Sequence, residues 1–309
     1  MRHPELWSLE RLIAEAPRPA GVVATRSVLR LCSKWLPLPA VSSLDELPPE
    51  LGTLIVIGGG TLIDAAKIWR ADHGPETMLA AIPSIWGSGA EATHIAVVNF
   101  EQIKKIRVDD LLAPDVRVII PELAQTLSRE LVVSACGDCW AHAVEGFMSP
   151  LAQTPLRRQL AGTIRGMLNA GIENRPEWFE LSAASAAGQA ESSVGLIHAM
   201  AHVLEGPLRY RHNSGLFNHA KLCSVLAWPV VVFNDRNSGK WAGLCTEYDL
   251  DKSAIEGELR YLYDDTLYDA LLPLMEQMWL SIMRDPCSRT NGVLVRASHI
   301  SFFTEKRFQ

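Results

Sequence analysis

Three histidines fall within fifteen residues in GLIHAMAHVLEGPLRYRHN, residues 195–213. His198 and His202 stand one helical turn apart, and His212 follows a Gly-Pro pair that predicts a break allowing the chain to fold back. A second stretch, GDCWAHAVEG, sets Asp138 and His142 at the same spacing, which turns both to one face of a helix. A carboxylate and two or three imidazoles from separate segments form the donor set of a divalent-metal centre. Hard oxygen with borderline nitrogen suits Fe(II), Zn(II), Co(II) or Mn(II). Each pair alone also fits satisfied core histidines. Clustering favours metal, because five of the nine histidines (His142, His198, His202, His212, His219) lie between 142 and 219. CGDC at 136–139 has the CxxC spacing but lacks the βαβ context of a thioredoxin-type motif.

Anion chemistry is the second theme. LIVIGGGTLIDAAK reads as strand, three glycines and helix. Gly58, Gly59 and Gly60 permit a tight turn and close backbone approach, and the N–H groups and dipole of the following helix favour a phosphate there. The pattern is neither GxGxxG nor a Walker loop. Thr61 is a candidate helix N-cap, and Asp64 and Lys67, a turn apart, read as a weak surface pair. A second small-residue turn, IPSIWGSGAEAT, offers Ser84, Ser88 and the backbone at Gly87 and Gly89.

These residues need elements to hold them. AGVVAT, GTLIVIG, MLAAIPS and VRVIIP read as buried strands, alternating with helical RSVLRLCSKWL and TLIDAAKIWRA. From about residue 123 the chain reads as successive helices, with 177–206 as one of them. The expectation is a Rossmann-like α/β nucleotide-binding domain with a parallel sheet over 1–124. An all-α metal-binding and catalytic domain follows over 125–309, with a ligand cleft between the two. At 309 residues the chain is long enough for two domains of about 150 each. A net charge of −6 with both signs interspersed excludes the basic stripe of a nucleic-acid binder. Six scattered cysteines point to a reducing cytoplasm. The first twenty residues lack a signal-peptide apolar region, and the longest apolar run, CSVLAWPVVVF, is too short to span a bilayer.

Taken in order, these pieces resemble the iron-containing (group III) alcohol dehydrogenases of the dehydroquinate synthase-like superfamily. The family's GGG[ST]xxDxAK appears as GGGTLIDAAK, its IPTTxGTGSE as IPSIWGSGAE, and its PxL as PEL after Val118–Pro121. Its GDxxxHxxE appears as GDCWAHAVE, its HxxxH with a third histidine ten residues later as His198, His202 and His212, and its NPR region as MRDPCSRTN. The resemblance runs from about residue 50 to the end.

It implies a metal-dependent, NAD(P)H-linked alcohol dehydrogenase or aldehyde reductase, with Fe2+ or Zn2+ held by Asp138, His142, His198 and His212. His202 takes the place of the non-ligand histidine beside substrate and nicotinamide. Glu145, a turn past His142, either supports the metal ligands or makes a structural salt bridge. Gly58, Gly59, Gly60, Thr61 and Asp64 match the pyrophosphate turn, and Ser84 and Ser88 the nicotinamide pocket. A small-molecule substrate and a homodimer or larger homo-oligomer are implied as partners. The sequence departs from the family in three ways. The region before GGG is short, as if a strand-helix unit were trimmed. Arg26 sits near a strand end where many members carry aspartate, which favours NADP over NAD. Ile85 and Trp86 replace smaller residues and reshape the pocket, while Arg209 and Arg211 beside His212 point either to a solvated basic face or to an anionic aldehyde such as a carboxylate, phosphate or phosphonate. The rival readings are a dehydroquinate-synthase-like cyclase, a glycerol-1-phosphate-type dehydrogenase, and an inactive metal- or nucleotide-binding homologue.

Overall fold

A computed structural model describes residues 3–32, 34–48, 50–100, 103–125, 127–212 and 218–309. The side chains of 98–100, 103–104 and 209–212 lie outside that description. The chain divides into two units, Met1–Leu127 and Ser128–Gln309.

The first unit contains, in chain order, β1 (Glu5–Trp7), α1 (Leu9–Glu15), β2 (Ala20–Ala24), α2 (Arg26–Cys32), β3 (Ala40–Val41), β4 (Thr53–Gly58), α3 (Gly60–His73), β5 (Met78–Pro83), β6 (Ile95–Phe100), β7 (Ile103–Val108) and β8 (Val116–Val118). Six strands form one sheet in the order β1-β8-β5-β4-β2-β3, with every neighbour parallel. All six residues of β4 are buried, as a strand covered on both faces requires. Two apolar clusters flank the sheet. Val22, Ile55, Ile57 and Ile82 belong to one, and Val23, Leu54, Val56, Ile63 and Leu79 to the other. Alternate residues of each strand thus feed opposite faces.

The connections decide where a ligand fits. From β2 the chain moves outward to β3, and from β4 it moves the other way to β5. The point of reversal lies between β2 and β4, and crevices beyond the carboxyl ends of such strands are where parallel sheets bind ligands. Register brings these ends level, with Ala24 opposite Ile57 and Gly58 opposite Pro83. The βα units before the glycine turn are present but brief, since α2 has seven residues and β3 two.

The second unit is helical: α4 (Arg129–Met148), α5 (Thr154–Ala170), α6 (Glu177–Ser192), α7 (Leu196–His212), α8 (His219–Ser238), α9 (Lys240–Glu247), α10 (Lys252–Leu262), α11 (Asp265–Arg284), α12 (Pro286–Arg289) and α13 (Ile300–Thr304). α4 is buried on every side from Ser134 to Met148, the signature of a core helix. A Cβ on Gly137 would lie 2.6 Å from Ser224 Cα of α8, so only glycine lets these two helices cross this closely. That crossing sets Asp138, the next residue of α4, beside the first turns of α8.

Several expectations need correction. The edge strand β1, the short β3 and the antiparallel β6–β7 hairpin were not anticipated. The single helix expected over 177–206 is two helices, parted at Ser193 with φ 67°. Thr290 Oγ1 holds that joint, donating to Val194 O at 2.6 Å. The break expected at Gly206–Pro207 is absent, and α7 runs through Pro207 to His212. A mid-helix proline costs about 3 kcal/mol, and burial of Leu204 and Leu208 on either side outweighs it.

Candidate functional site

In the first unit the glycine turn sits at the end of β4. Gly59 is the N-cap of α3 and gives it no side-chain cap, so the leading amides of the helix keep their capacity to bind an anion. Thr61 is therefore not the cap. It lies one residue inside the helix and is exposed. A Cβ on Gly60 would collide with Ser88 Oγ, and one on Gly58 would meet Thr25 Cγ2 at 2.8 Å. The loops after β2, β4 and β5 thus close on one another at the crevice. Arg26 follows Thr25 there and is exposed. Ser84 is buried, with its amide donating to Gly58 O at 2.9 Å, whereas Ser88 is exposed and its Oγ accepts from Ala90 N at 3.3 Å. Trp86 is buried.

Asp64 and Lys67 form no surface pair. Lys67 has no exposed area, and its Nζ donates to Ile95 O at 2.6 Å and to Asp64 Oδ1 at 3.2 Å. Asp64 Oδ2 accepts from Val97 N at 3.0 Å. Together they clip β6 onto α3. Burial pushes the Lys67 ammonium below its ordinary pKa, against the opposing pull of Asp64.

In the second unit α4, α7 and α8 bring Asp138, His198, His219 and Cys223 together. One donor atom from each lies within 4.8 Å of the other three. His198 Nε2 and His219 Nε2 both face Asp138 Oδ1, each at 4.0 Å. Each ring turns its other nitrogen to a carboxylate. His198 Nδ1 meets Glu145 Oε2 at 2.7 Å, and His219 Nδ1 lies 3.8 Å from Glu205 Oε2. Carboxylate–imidazole pairs of this kind fix ring orientation and raise the basicity of the nitrogen that faces a metal. Cys223 Sγ lies 3.6 Å from His219 Nε2. His142 stacks on His198 with ring centroids 4.6 Å apart. Among the described residues, buried Asp138 Oδ1 and His142 Nδ1 have no hydrogen-bond partner. A carboxylate oxygen left so in an apolar helix core costs stability unless a cation meets it, so these residues fit a divalent metal.

Glu145 also caps α7, accepting from Ile197 N at 2.5 Å and His198 N at 3.4 Å. Gly195 makes room for this, since a Cβ there would lie 2.9 Å from Glu145 Oε1. Burial pushes the Glu145 carboxyl up to about 7, although these amides oppose the rise. Of the two readings of Glu145, support for a candidate ligand is the one its contacts match. His202 stacks against His219, with centroids 5.5 Å apart and planes 12° apart.

His212, expected as a ligand, is the last residue of α7. Along one uninterrupted helix, fourteen residues place its Cα about 21 Å from that of His198. Its side chain, and those of Arg209 and Arg211, lie outside the described residues. Sequence reasoning counted His219 in the cluster but gave it no role, and passed over Cys223 and Glu205. The signal was available, because His219 and Cys223 repeat the i, i+4 spacing of Asp138 and His142.

Residues 48–121 match the family model "Iron-containing alcohol dehydrogenase". The chain is 26% identical over 242 residues to the 1-propanol dehydrogenase PduQ of Salmonella typhimurium, covering 72% of this chain and 64% of that protein. It is 31% identical over 177 residues to the NADPH-dependent butanol dehydrogenase of Clostridium saccharobutylicum, covering 48% of this chain and 46% of that one. It therefore spans less than two thirds of the length of these curated relatives. The iron-containing alcohol dehydrogenase of Corynebacterium glutamicum shares its fold, with TM-score 0.79 and 20% identity over 99% of this chain and 96% of that one. Sheet order and glycine turn agree with these matches: residues 48–121 are similar to the iron-containing alcohol dehydrogenase family, and the chain shares the fold of its solved members.

Proposed function

We propose that this chain is a metal-dependent alcohol dehydrogenase or aldehyde reductase using a nicotinamide dinucleotide. The observation that carries the reading is the pair of imidazole Nε2 atoms aimed at Asp138 Oδ1, each ring backed by a carboxylate. Asp138, His198 and His219 would hold the ion, with His142 and Cys223 beside them. A divalent metal bound there supplies Lewis acidity toward a carbonyl or alkoxide oxygen. The nicotinamide supplies the hydride.

The remaining work belongs to the protein. Glu145 orients His198 and anchors the start of α7, so the ligand ring and the helix that carries it are set by one side chain. His202, stacked beside His219, is the candidate to move a proton to or from the substrate oxygen. The Gly58–Gly60 turn and the uncapped start of α3 bind the pyrophosphate, with Ser84 and Ser88 on the neighbouring loop. Asp64 supports the turn through α3 instead of touching the cofactor. Arg26, placed at the crevice between β2 and β4, favours NADP over NAD by meeting a 2′-phosphate. The substrate is a small aldehyde or ketone. An anionic one is the finer proposal, resting on Arg209 and Arg211 in the sequence. A cytoplasmic homo-oligomer belongs to the same reading.

The test is the anaerobically purified protein loaded with Fe(II) or Zn(II), followed by NADPH and NADH absorbance against neutral and anionic small aldehydes. Metal-dependent oxidation of NADPH is expected. Bound metal and cofactor with no net oxidation of either nicotinamide would move the assignment to a cyclase of the same superfamily.

A further inference from the structure

The turn between α11 and α12 carries two metal-type donors, Asp285 and Cys287, that the proposed reaction does not use and that face His202 of α7. Asp285 caps α12, its Oδ1 accepting from the Cys287 amide at 2.9 Å. Its Oδ2 is thereby turned toward His202 Nδ1, 3.6 Å away. Cys287 Sγ lies 3.9 Å from the same nitrogen. One donor atom from each of the three lies within 4.8 Å of the other two. Donors bound to tetrahedral zinc stand about 3.3–3.8 Å apart, given bond lengths of about 2.0–2.3 Å. The two distances to His202 Nδ1 match that spacing to within about 0.1 Å, and the Asp285–Cys287 separation, within 4.8 Å, closes with a shift of at most about 1 Å. Cys287 is buried, while the side chains of His202 and Asp285 keep 13% and 14% exposure, enough to admit an ion from solvent.

We propose that His202, Asp285 and Cys287 form a second divalent-metal site, selective for zinc and distinct from the Asp138–His198–His219 centre. Thiolate with imidazole and carboxylate is a borderline-soft donor set that prefers Zn2+ to Mg2+ or Mn2+. Three protein ligands leave the fourth position to water. Coordination through sulfur releases the thiol proton to solvent. Occupancy engages Nδ1 of His202, the ring placed beside His219, so zinc beyond the first equivalent inhibits turnover.

The experiment is equilibrium dialysis of the chelator-stripped full chain against Zn2+, with bound zinc counted by atomic emission. Wild type is compared with Cys287→Ser and with Asp285→Asn, which keeps the helix cap. Two equivalents are expected in wild type and one in each variant. His219→Ala is expected to keep one equivalent, and to show with Co2+ a thiolate charge-transfer band that His219→Ala/Cys287→Ser lacks. A Cys287→Ser protein that binds as many equivalents as wild type overturns the proposal. The counts do not depend on the dehydrogenase reading. Inhibition does: excess zinc is expected to slow NADPH oxidation at least tenfold in wild type and far less in Cys287→Ser.

Discussion

His219 and His212 are both histidines in the right part of the chain, and only geometry separates them. His219 Nε2 faces Asp138 Oδ1, whereas His212 ends α7 with its side chain outside the described residues. His219→Ala is expected to weaken metal binding by more than 100-fold, and His212→Ala to leave it within a few-fold of wild type. Isothermal titration of the stripped variants decides between them. Glu145→Ala removes the acceptor for His198 Nδ1 and is expected to cost about 10–100-fold in metal affinity by the same measurement. In the first unit, Lys67→Met leaves Asp64 buried beside a lost cation. A loss of about 3–5 kcal/mol in denaturant unfolding is expected. A change under 1 kcal/mol would mean the pair is solvated after all, as its spacing alone suggested.

Among the elements, the α4–α8 crossing decides whether the cluster assembles. Gly137→Ala pushes a methyl group into Ser224. About 1–3 kcal/mol of destabilisation is expected, together with weaker metal retention, because Asp138 moves with the backbone. Pro207→Ala tests α7 in the opposite sense. If the helix passes through this position, the substitution restores a hydrogen bond and raises the unfolding midpoint. A lower midpoint would favour a chain that turns there. The sequence made α4 legible because its motif and its apolar content agree. It misled at Gly206–Pro207, where local breaker chemistry is overridden by burial of Leu204 and Leu208, a tertiary effect. The β6–β7 hairpin escaped notice because its tie to the fold is a buried lysine, which no periodicity announces.

At the scale of the molecule, the candidate metal donors all lie in Ser128–Gln309 and the candidate dinucleotide groups all lie in Met1–Leu127. Among the described residues no helix is long and apolar enough to cross a membrane. Metal at about 100 times its Kd stabilises the state that binds it by about 2.7 kcal/mol. That corresponds to roughly 5–10 °C for a unit of this size. Hydrogen exchange is expected to show the added protection in α4, α7 and α8. The alternation of strands and helices, the glycine turn and the Asp138–His142 motif were readable because each rests on local spacing. The approach of His219 to Asp138 was not, because that depends on how α4 and α8 cross.

The measurement that tests the account most directly is the metal content, after dialysis against a weak chelator, of Fe(II)-loaded wild type, Asp138→Ala, His219→Ala and His212→Ala, with NADPH oxidation by an aldehyde followed on the same samples. The account predicts one iron and turnover in wild type and His212→Ala, and neither in Asp138→Ala or His219→Ala. Iron and full turnover in His219→Ala, with both lost in His212→Ala, would contradict it.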